Sequence, residues 1–297
     1  MIDFREIRLS DKKWIDELLK YSDFRGAEYC FTNLFAWEPV YGSKIARYKD
    51  FLLLTSGEGE NRIYILPAGK GDYKEVIDVL KADAASRQSP FALIAVPPQM
   101  IGMLETLYPG GFSASPVRNS FDYIYEAEKM ISLSGKKLQP KRNHLARFTE
   151  LPGWKYEAIT EANLAECIEY TDKWCRENGG CDEKNVSLSW ELCAVRRMLT
   201  DFITLDLKGG LIRLDNQIVA YTVGERLNSD TFIVHIEKAD SSLRGAYQAI
   251  NREFLAHNAS DIQFVNREDD AGDEGLRKAK SSYYPAFMQE KYAARFF

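Results

Sequence analysis

The chain has 297 residues, which is long for one hydrophobic core and predicts two domains at the usual size of roughly 100–200 residues each. Hydrophobic residues make up 45% of the chain and charged residues 28%, a balance that excludes an intrinsically disordered protein. The formal net charge of −5 excludes a protein whose whole surface coats nucleic acid, although a local basic patch remains compatible with it.

Alternating and helical hydrophobic patterns divide the first half of the chain into short elements. The predicted order is strand, helix, a helix-like segment, three strands, helix, strand, helix and strand. Their ranges are 4–7, 11–21, 31–37, 45–48, 51–55, 62–66, 73–80, 91–96, 100–107 and 121–125. The three consecutive strands predict an antiparallel meander.

A basic segment from Glu128 to Glu150 follows, and we expect it to be a linking helix or loop. Its basic side chains are Lys136, Lys137, Lys141, Arg142, His144 and Arg147. Two interpretations stay open. Charge runs usually form solvated faces; alternatively, Lys136, Lys137, Lys141 and Arg142 contact tRNA phosphates, which would make binding dependent on salt.

The second half repeats the same order of elements, although no sequence repeat is evident. The patterns predict a strand at 154–159, helices at 164–175 and 187–202, and strands at 210–214, 217–227 and 230–238. A helix at 245–257, a strand at 261–265, a short helix at 273–281 and a last strand after Pro285 complete it. The order βααβββαβαβ thus occurs twice.

This order resembles that of the GNAT acyltransferase fold, whose members open the sheet between the fourth and fifth strands to admit an acyl donor. We therefore predict an α/β protein of two tandem GNAT-like folds, with mixed, mainly antiparallel sheets flanked by helices. The expected boundaries are a first lobe at 1–127, the basic linker at 128–150, and a second lobe at 151–297 that carries the chemistry. In the first lobe the turn from Leu66 to Asp72 places an acidic residue where phosphate would be repelled, so that lobe is expected to be structural.

Three groups of stretches are more distinctive than the order of elements. They are Phe31-Thr-Asn-Leu-Phe-Ala-Trp37; Leu133-Ser-Gly-Lys-Lys137 with Lys141-Arg-Asn-His144; and Val265-Asn-Arg-Glu-Asp-Asp270 with Gly275-Leu-Arg-Lys-Ala-Lys280. Together they resemble an uncharacterised bacterial family related to the C-terminal domain of phosphatidylglycerol lysyltransferase, over essentially the full chain.

The resemblance implies acyl or aminoacyl transfer, because that family shares its tandem fold with the Fem-type transferases that move amino acids from aminoacyl-tRNA. The implied donor is aminoacyl-tRNA or acyl-CoA, with no tightly bound cofactor. The implied acceptor is an amine or hydroxyl on a small or peptide-like molecule. The alternative from a different class is a binding or regulatory protein that keeps the cleft and has lost catalysis.

The turn Arg244-Gly245-Ala246-Tyr247 precedes the helix that follows the second meander. In the GNAT fold the equivalent turn presents backbone N–H groups to the phosphates of the donor, because the start of a helix has unpaired donors and a favourable dipole. Ala246 and Tyr247 depart from the glycine-rich form of that loop. We predict that these four residues bind the donor; the alternative is that Gly245 only eases entry into the helix.

Asn266, Arg277 and Lys280 are further candidates on the C-terminal side of the second lobe. Arg277 and Lys280 lie three apart on one helical face and can hold a phosphate or polarise a carbonyl. Acidic residues nearby offer them structural pairing instead. We assign Asn266 and Arg277 to donor binding and Lys280 to catalysis.

Acyl transfer also needs a group that removes a proton from the acceptor and a donor for the developing oxyanion. Glu237 falls on the fourth strand of the second lobe, where GNAT enzymes often carry a general base, and His235 shares its face. Tyr283 or Tyr284 ends the fourth helix, near the usual tyrosine general acid. Alternation along the strand leaves open that Glu237 and His235 face solvent or a polar network in the core.

The five cysteines include no CxxC pair and the chain has only three histidines, so the sequence lacks a metal-ligand pattern and no metal is predicted. Cys167 and Cys193 lie in helical apolar patterns, which predicts buried reduced thiols for them, and none of Cys30, Cys175 and Cys181 is assigned as a nucleophile either.

No window has the 18 or more uncharged apolar residues of a membrane span, since the stretch from Phe91 to Val96 meets Pro97 and Pro98 at once. The first residues lack a basic region followed by an apolar core, so no secretory signal is predicted. We expect a cytoplasmic protein without a transmembrane segment.

Overall fold

Two seven-stranded sheets organise the residues that the structure describes, which are 1–179 and 186–297 of this computed structural model. The chain divides into two units, of which unit 1 is Met1–Asp122, Asp269–Asp273 and Met288–Phe297. Unit 2 is Tyr123–Glu268 and Glu274–Phe287. Each unit contains one of the sheets.

The bounds of the elements are as follows, in chain order. The helices are α1 Lys12–Ser22, α2 Phe31–Ala36, α3 Glu38–Tyr41, α4 Tyr73–Ser86, α5 Pro98–Leu107, α6 Ala127–Ser132, α7 Gln139–Thr149, α8 Leu164–Glu177, α9 Val186–Thr200, α10 Ala246–Asn258 and α11 Glu274–Ser281. Short 3₁₀ helices are Leu9–Asp11, Ala27–Tyr29, Gly59–Asn61, Arg118–Ser120 and Lys136–Leu138. The strands are β1 Lys44–Tyr48, β2 Phe51–Ser56, β3 Ile63–Ile65, β4 Ala68–Gly69, β5 Ala92–Val96, β6 Phe112–Pro116, β7 Asp122–Glu126, β8 Lys155–Ala158, β9 Lys208–Leu214, β10 Gln217–Arg226, β11 Thr231–Ala239, β12 Phe264–Asn266, β13 Phe287–Gln289 and β14 Tyr292–Phe296.

The sheet of unit 1 has the order β1-β2-β3-β5-β14-β6, with β4 paired to β2. Neighbouring strands run antiparallel except β3 and β5, which are parallel. Helix α4 covers this sheet and begins at Asp72, whose carboxylate accepts the backbone N–H groups of Lys74 and Glu75 at 2.8 and 3.2 Å. Asp72 is therefore the N-cap of α4, a role that suits a short acidic side chain.

The sheet of unit 2 has the order β13-β7-β12-β11-β10-β9-β8. Strands β8 to β11 form the predicted antiparallel meander. Strands β11 and β12 are parallel and pair only through Thr231↔Phe264, Phe232↔Val265 and Ile233↔Asn266. All three residues of β12 are paired, and β11 continues to Ala239, so β11 extends six residues beyond its pairing with β12.

The core of unit 2 is built from α10, α7 and the meander. Ala246, Ala249 and Ile250 of α10 pack with Ile212, Val219, Ala220, Ala239 and the fully buried Phe148 of α7. Burial of one such phenylalanine contributes about 1.5–3 kcal/mol. The basic segment is thus a helix whose apolar side completes the core of unit 2.

Each unit has a mixed, mainly antiparallel sheet flanked by helices. The chain therefore has the predicted tandem GNAT-like α/β fold. Elements of the second half begin and end within a few residues of the predicted positions. The strand expected at 4–7 contributes only one bridge, between Arg5 and Ile45, and strand β6 was not predicted.

The units differ from the expected boundaries of 1–127, 128–150 and 151–297. Strand β7, from the first half, pairs with β12 in the sheet of unit 2, and β14, at the end of the chain, pairs with β5 and β6 in the sheet of unit 1. The segment predicted as a linker belongs to unit 2. The alternating pattern of a strand predicts the strand itself but does not identify its partner.

Candidate functional site

A charged cluster lies in unit 2 at the end of β12, beside the part of β11 that extends beyond it. Glu237 on β11 accepts hydrogen bonds from Arg267 Nη2 at 2.8 Å and from Asn251 Nδ2 of α10 at 2.7 Å. Only 11% of the Glu237 side chain and 13% of the Arg267 side chain are exposed. Both carboxylate oxygens of Glu237 are therefore occupied, and the carboxylate fixes the position of Arg267.

Arg267 lies between two tyrosine rings. Its guanidinium carbon is 5.1 Å from the ring centroid of Tyr283 and 5.9 Å from that of Tyr125. Burial lowers the pKa of Arg267. Glu237 and the two tyrosines raise it by more, so the net shift of the Arg267 pKa is upward. Arg267 is thus a fixed cation at every pH of interest.

Lys141 of α7 is the second basic residue of the cluster. Its Nζ donates to Ser282 Oγ at 2.7 Å and lies 4.1 Å from the ring centroid of Tyr283. Burial lowers the pKa of Lys141 and the charge of Arg267 lowers it further, while Glu237 opposes both. Depressed lysine pKa values increase the neutral amine fraction, which can accept a proton.

The two tyrosines of the cluster form its apolar wall. Tyr283 is buried, and burial raises its pKa to about 12, so its hydroxyl stays protonated. Tyr125 meets the Tyr283 ring edge to face at 6.5 Å and donates its hydroxyl to the backbone carbonyl of Lys280 at 2.8 Å. These contacts hold the end of α11 beside β7.

Asn251 contributes an acceptor that the protein leaves open. Its side chain is 2% exposed, and no residue that the structure describes donates a hydrogen bond to its Oδ1. Buried polar atoms are normally satisfied, and the exceptions deserve an explanation. An incoming N–H or O–H group beside Glu237 would provide the missing bond.

The turn at Gly245 is packed against α7. Gly245 has φ +98°, and a Cβ there would overlap the carbonyl oxygen of His144 and lie 2.9 Å from Phe148 Cβ. The Ala246 N–H donates to Leu243 O at 3.1 Å, and Arg244 Nε donates to His144 Nδ1 at 3.2 Å. Helix α7 therefore occupies the space beside this glycine, and Tyr247 packs on the same core.

His235 is enclosed by carboxylates. Its Nδ1 is 2.9 Å from Glu268 Oε1, its Nε2 is 3.1 Å from Glu225 Oε1, and its side chain is fully buried. The sequence left open whether His235 faces solvent or a polar network in the core, and the structure places it in a buried polar network.

The other predicted residues lie around the cluster. Tyr284 is 51% exposed. Asn266 is fully buried and its Oδ1 accepts the N–H of Glu268 at 2.6 Å, which closes the turn after β12. Arg277 and Lys280 are half-buried on α11.

The four basic residues assigned to tRNA separate into two groups. Lys136 and Lys137 are exposed, and Lys137 Nζ lies 5.3 Å from the ring centroid of Tyr284. Arg142 donates to the carbonyl oxygens of Leu133 and Gly135 and so closes the turn before α7. Lys141 belongs to the cluster.

A family model for phosphatidylglycerol lysyltransferase, C-terminal, matches residues 19–295. The chain belongs to this family.

Solved structures agree with that membership. A conserved protein of unknown function from Bacteroides thetaiotaomicron has 38% identity and a TM-score of 0.94, with all of both chains covered. L-PGS from Bacillus licheniformis has 13% identity and a TM-score of 0.69, with 96% of this chain and 92% of that chain covered, and its likeness concerns the fold.

An uncharacterized protein, MYCGA3080, from Mycoplasmoides gallisepticum is 29% identical over 179 residues. That match covers 60% of this chain and 56% of the relative, so the chain spans about half the length of the curated relative. Within the described ranges, no helix has both the length and the apolar composition that crossing a bilayer requires.

Sequence reasoning missed Arg267, Asn251 and Ser282 as members of the cluster. Arg267 lies in the distinctive stretch 265–270, but the three acidic residues that follow it suggested a surface ion pair rather than a site residue. Asn251 carried a readable signal, because it is a polar residue on the buried stripe of α10 beside Ala249 and Ile250. Ser282 carried none.

The cysteines with described positions include three buried thiols, Cys30, Cys167 and Cys175. Burial raises the pKa of Cys167 to about 12, so its thiol stays protonated and is a poor nucleophile. Cys193, expected to be buried, is exposed because it falls on the outer side of α9. Cys181 lies outside the described residues.

Proposed function

We propose that the chain is an aminoacyltransferase whose reaction centre is the cluster of Glu237, Arg267, Lys141 and Tyr283. It would move an aminoacyl group from aminoacyl-tRNA to an amine or hydroxyl acceptor. The observation that carries the proposal is that two partly buried basic side chains, Arg267 and Lys141, contact the same ring of Tyr283, close to the point where β12 ends and β11 continues. Membership of the family supports the same class of reaction.

The roles follow from the contacts. Attack of an amine on the ester carbonyl forms a C–N bond, breaks the ester C–O bond, and places negative charge on the carbonyl oxygen in between. Arg267 is a rigid cation suited to that oxyanion. Glu237, predicted as the base, has both oxygens engaged and acts in this proposal as a positioning residue for Arg267.

Proton transfer falls to Lys141 in this proposal. The acceptor loses one proton, and the departing 3′-oxygen of the tRNA gains one. The neutral form of the Lys141 amine can take the first proton and return it, and burial and the charge of Arg267, which lower the Lys141 pKa, increase the fraction in that form. Asn251 Oδ1 would accept a hydrogen bond from the acceptor group and orient it.

The packing at Gly245 favours aminoacyl-tRNA over acyl-CoA as the donor. Binding of a CoA pyrophosphate at a helix start requires backbone N–H groups that a phosphate can approach. Here the His144 carbonyl lies against Gly245, and the Ala246 N–H is already bonded. The phosphate-binding role of Arg244 to Tyr247 remains a prediction that this packing does not support.

The test measures transfer to a small amine. The purified full chain is mixed with bulk tRNA charged with labelled amino acids and with hydroxylamine, and amino-acid hydroxamate is measured above the uncatalysed rate. We expect activity that falls about 10²- to 10³-fold in Arg267→Gln. Arg213→Gln is the matched control, because Arg213 also pairs with carboxylates in unit 2, those of Glu157 and Glu166.

The melting temperatures of Arg267→Gln and Arg213→Gln show whether a loss of activity comes from unfolding or from the substituted side chain. Acetyl-CoA in place of charged tRNA tests the second donor: formation of acetohydroxamate alone would show that the donor is misassigned. Absence of product with both donors would favour the non-catalytic binding protein. Equal activity of Arg267→Gln and wild type would remove the cluster from the reaction.

A further inference from the structure

Three consecutive residues after α11 lie in three different environments. Ser282 accepts a hydrogen bond from Lys141, Tyr283 is 7% exposed within the cluster, and Tyr284 is 51% exposed. Consecutive Cα atoms are about 3.8 Å apart. A buried charged site and an exposed aromatic ring are therefore immediate neighbours along the chain.

Tyr284 adopts an uncommon backbone conformation. Its φ is +56°, in the left-handed region that bulky residues rarely enter. Its N–H donates to Ser281 O at 3.0 Å, so the conformation is part of the turn that ends α11. Such conformations persist where the surroundings require them, and they cluster at ligand-binding sites.

A second segment runs alongside these residues. Lys137 Nζ lies 5.3 Å from the ring centroid of Tyr284, and Lys141 Nζ lies 2.7 Å from Ser282 Oγ. Lys136 and Lys137 are exposed in the 3₁₀ helix that leads into α7. The two segments together form a path from an exposed lysine and aromatic ring to the half-buried Lys141 and the buried Arg267.

We propose that Tyr284 is a stacking platform for an unpaired base at the 3′ end of the tRNA donor, with Lys137 contacting an adjacent phosphate. This inference rests on the proposed function and names the part of the donor that the site holds. Stacking on exposed aromatic rings and lysine contacts to phosphate are the common means of holding single-stranded nucleic acid. The ester carbonyl would then lie in the neighbouring cluster, with its oxygen toward Arg267. Tyr284, predicted as a general acid, becomes a binding residue.

The experiment measures binding of a fluorescently labelled single-stranded RNA carrying the unpaired 3′ end of tRNA, by anisotropy, with duplex RNA of equal length as comparison. Tyr284→Ala should weaken binding of the single strand about five- to hundredfold, and Tyr284→Phe should stay within about twofold because the ring remains. Lys137→Gln should lower the dependence of log affinity on log salt by roughly 0.7.

Unit 1 offers a matched control. Tyr21 is 60% exposed, and Lys70 Nζ lies 5.5 Å from its ring centroid, so the pair has the same composition and exposure. Tyr21→Ala should leave RNA binding unchanged. Melting temperatures of the three tyrosine variants test whether folding is retained.

The outcomes separate this inference from the proposed function. Unchanged RNA affinity in Tyr284→Ala, with hydroxamate still formed by the wild type, would overturn the stacking platform alone. Normal RNA binding with lost transfer in Tyr284→Ala would place Tyr284 with the acceptor and would also overturn it. If the wild type neither binds the single strand nor forms hydroxamate, both proposals fail.

Discussion

The two units use buried charge in opposite ways. In unit 1, Lys291 is 3% exposed and its Nζ is 2.7 Å from Asp122 Oδ1 and 2.8 Å from Glu28 Oε1. In unit 2, Lys141 bonds to a serine hydroxyl, and no carboxylate of the described residues pairs with it. Similar sheets thus enclose a lysine whose charge is balanced by carboxylates in unit 1 and a lysine whose pKa is lowered in unit 2, where the proposed reaction centre lies.

The largest expected loss of stability comes from breaking the buried ion cluster of Lys291, Asp122 and Glu28 in unit 1. Lys291→Met removes the ammonium that pairs with the fully buried Asp122 and with Glu28, and breaking a buried pair from one side costs about 3–5 kcal/mol. Denaturant unfolding measures this free energy. Lys49→Met is the control, since Lys49 pairs with Glu75 at the surface, where an ion pair contributes little, and its loss should change the free energy of unfolding far less. Equal losses in the two variants would show that the unit 1 cluster has no structural importance.

The next prediction concerns the start of α10. Gly245→Ala introduces a Cβ that collides with His144 and forces a left-handed alanine, which should lower the free energy of unfolding by about 3 kcal/mol. Gly42→Ala is the comparison, because Gly42 is also left-handed with φ +58° but has nothing within 4 Å of the added atom. That variant should lose about 1 kcal/mol.

A small loss of stability in Gly245→Ala, accompanied by loss of acetyl-CoA or tRNA binding, would contradict the packing role. It would restore the phosphate-binding role for the turn Arg244 to Tyr247.

Much of the fold could be predicted because its signals are local. The amphipathic spacing in α8, the run of apolar residues in β10, and the turn residues between the strands of the meander are each local signals. The partners of β7 and β14 could not be predicted, because each pairs with strands from the other half of the sequence. The exposed pattern of Phe112-Ser-Ala-Ser-Pro116 also gave no sign of strand β6.

The site was less predictable than the fold for the same physical reason. Glu237 and Tyr283 were identified from their positions in the fold, but their roles depend on contacts with Arg267, Asn251 and Lys141, which lie far away in sequence. Gly245 illustrates the limit. A glycine before a helix is compatible with phosphate approach and with helix packing, and only the position of α7 distinguishes the two.

The most direct test of the account is the pH dependence of hydroxamate formation by wild type and Lys141→Gln, corrected for the uncatalysed rate. If the neutral Lys141 amine takes the proton, the wild-type rate should rise with pH toward an apparent pKa below the usual lysine value of about 10.5, because burial and Arg267 lower it. This rising limb should be absent in Lys141→Gln and unchanged in Lys129→Gln, an exposed lysine paired with Glu126. An identical pH profile in wild type and Lys141→Gln would contradict a reaction centred on this cluster.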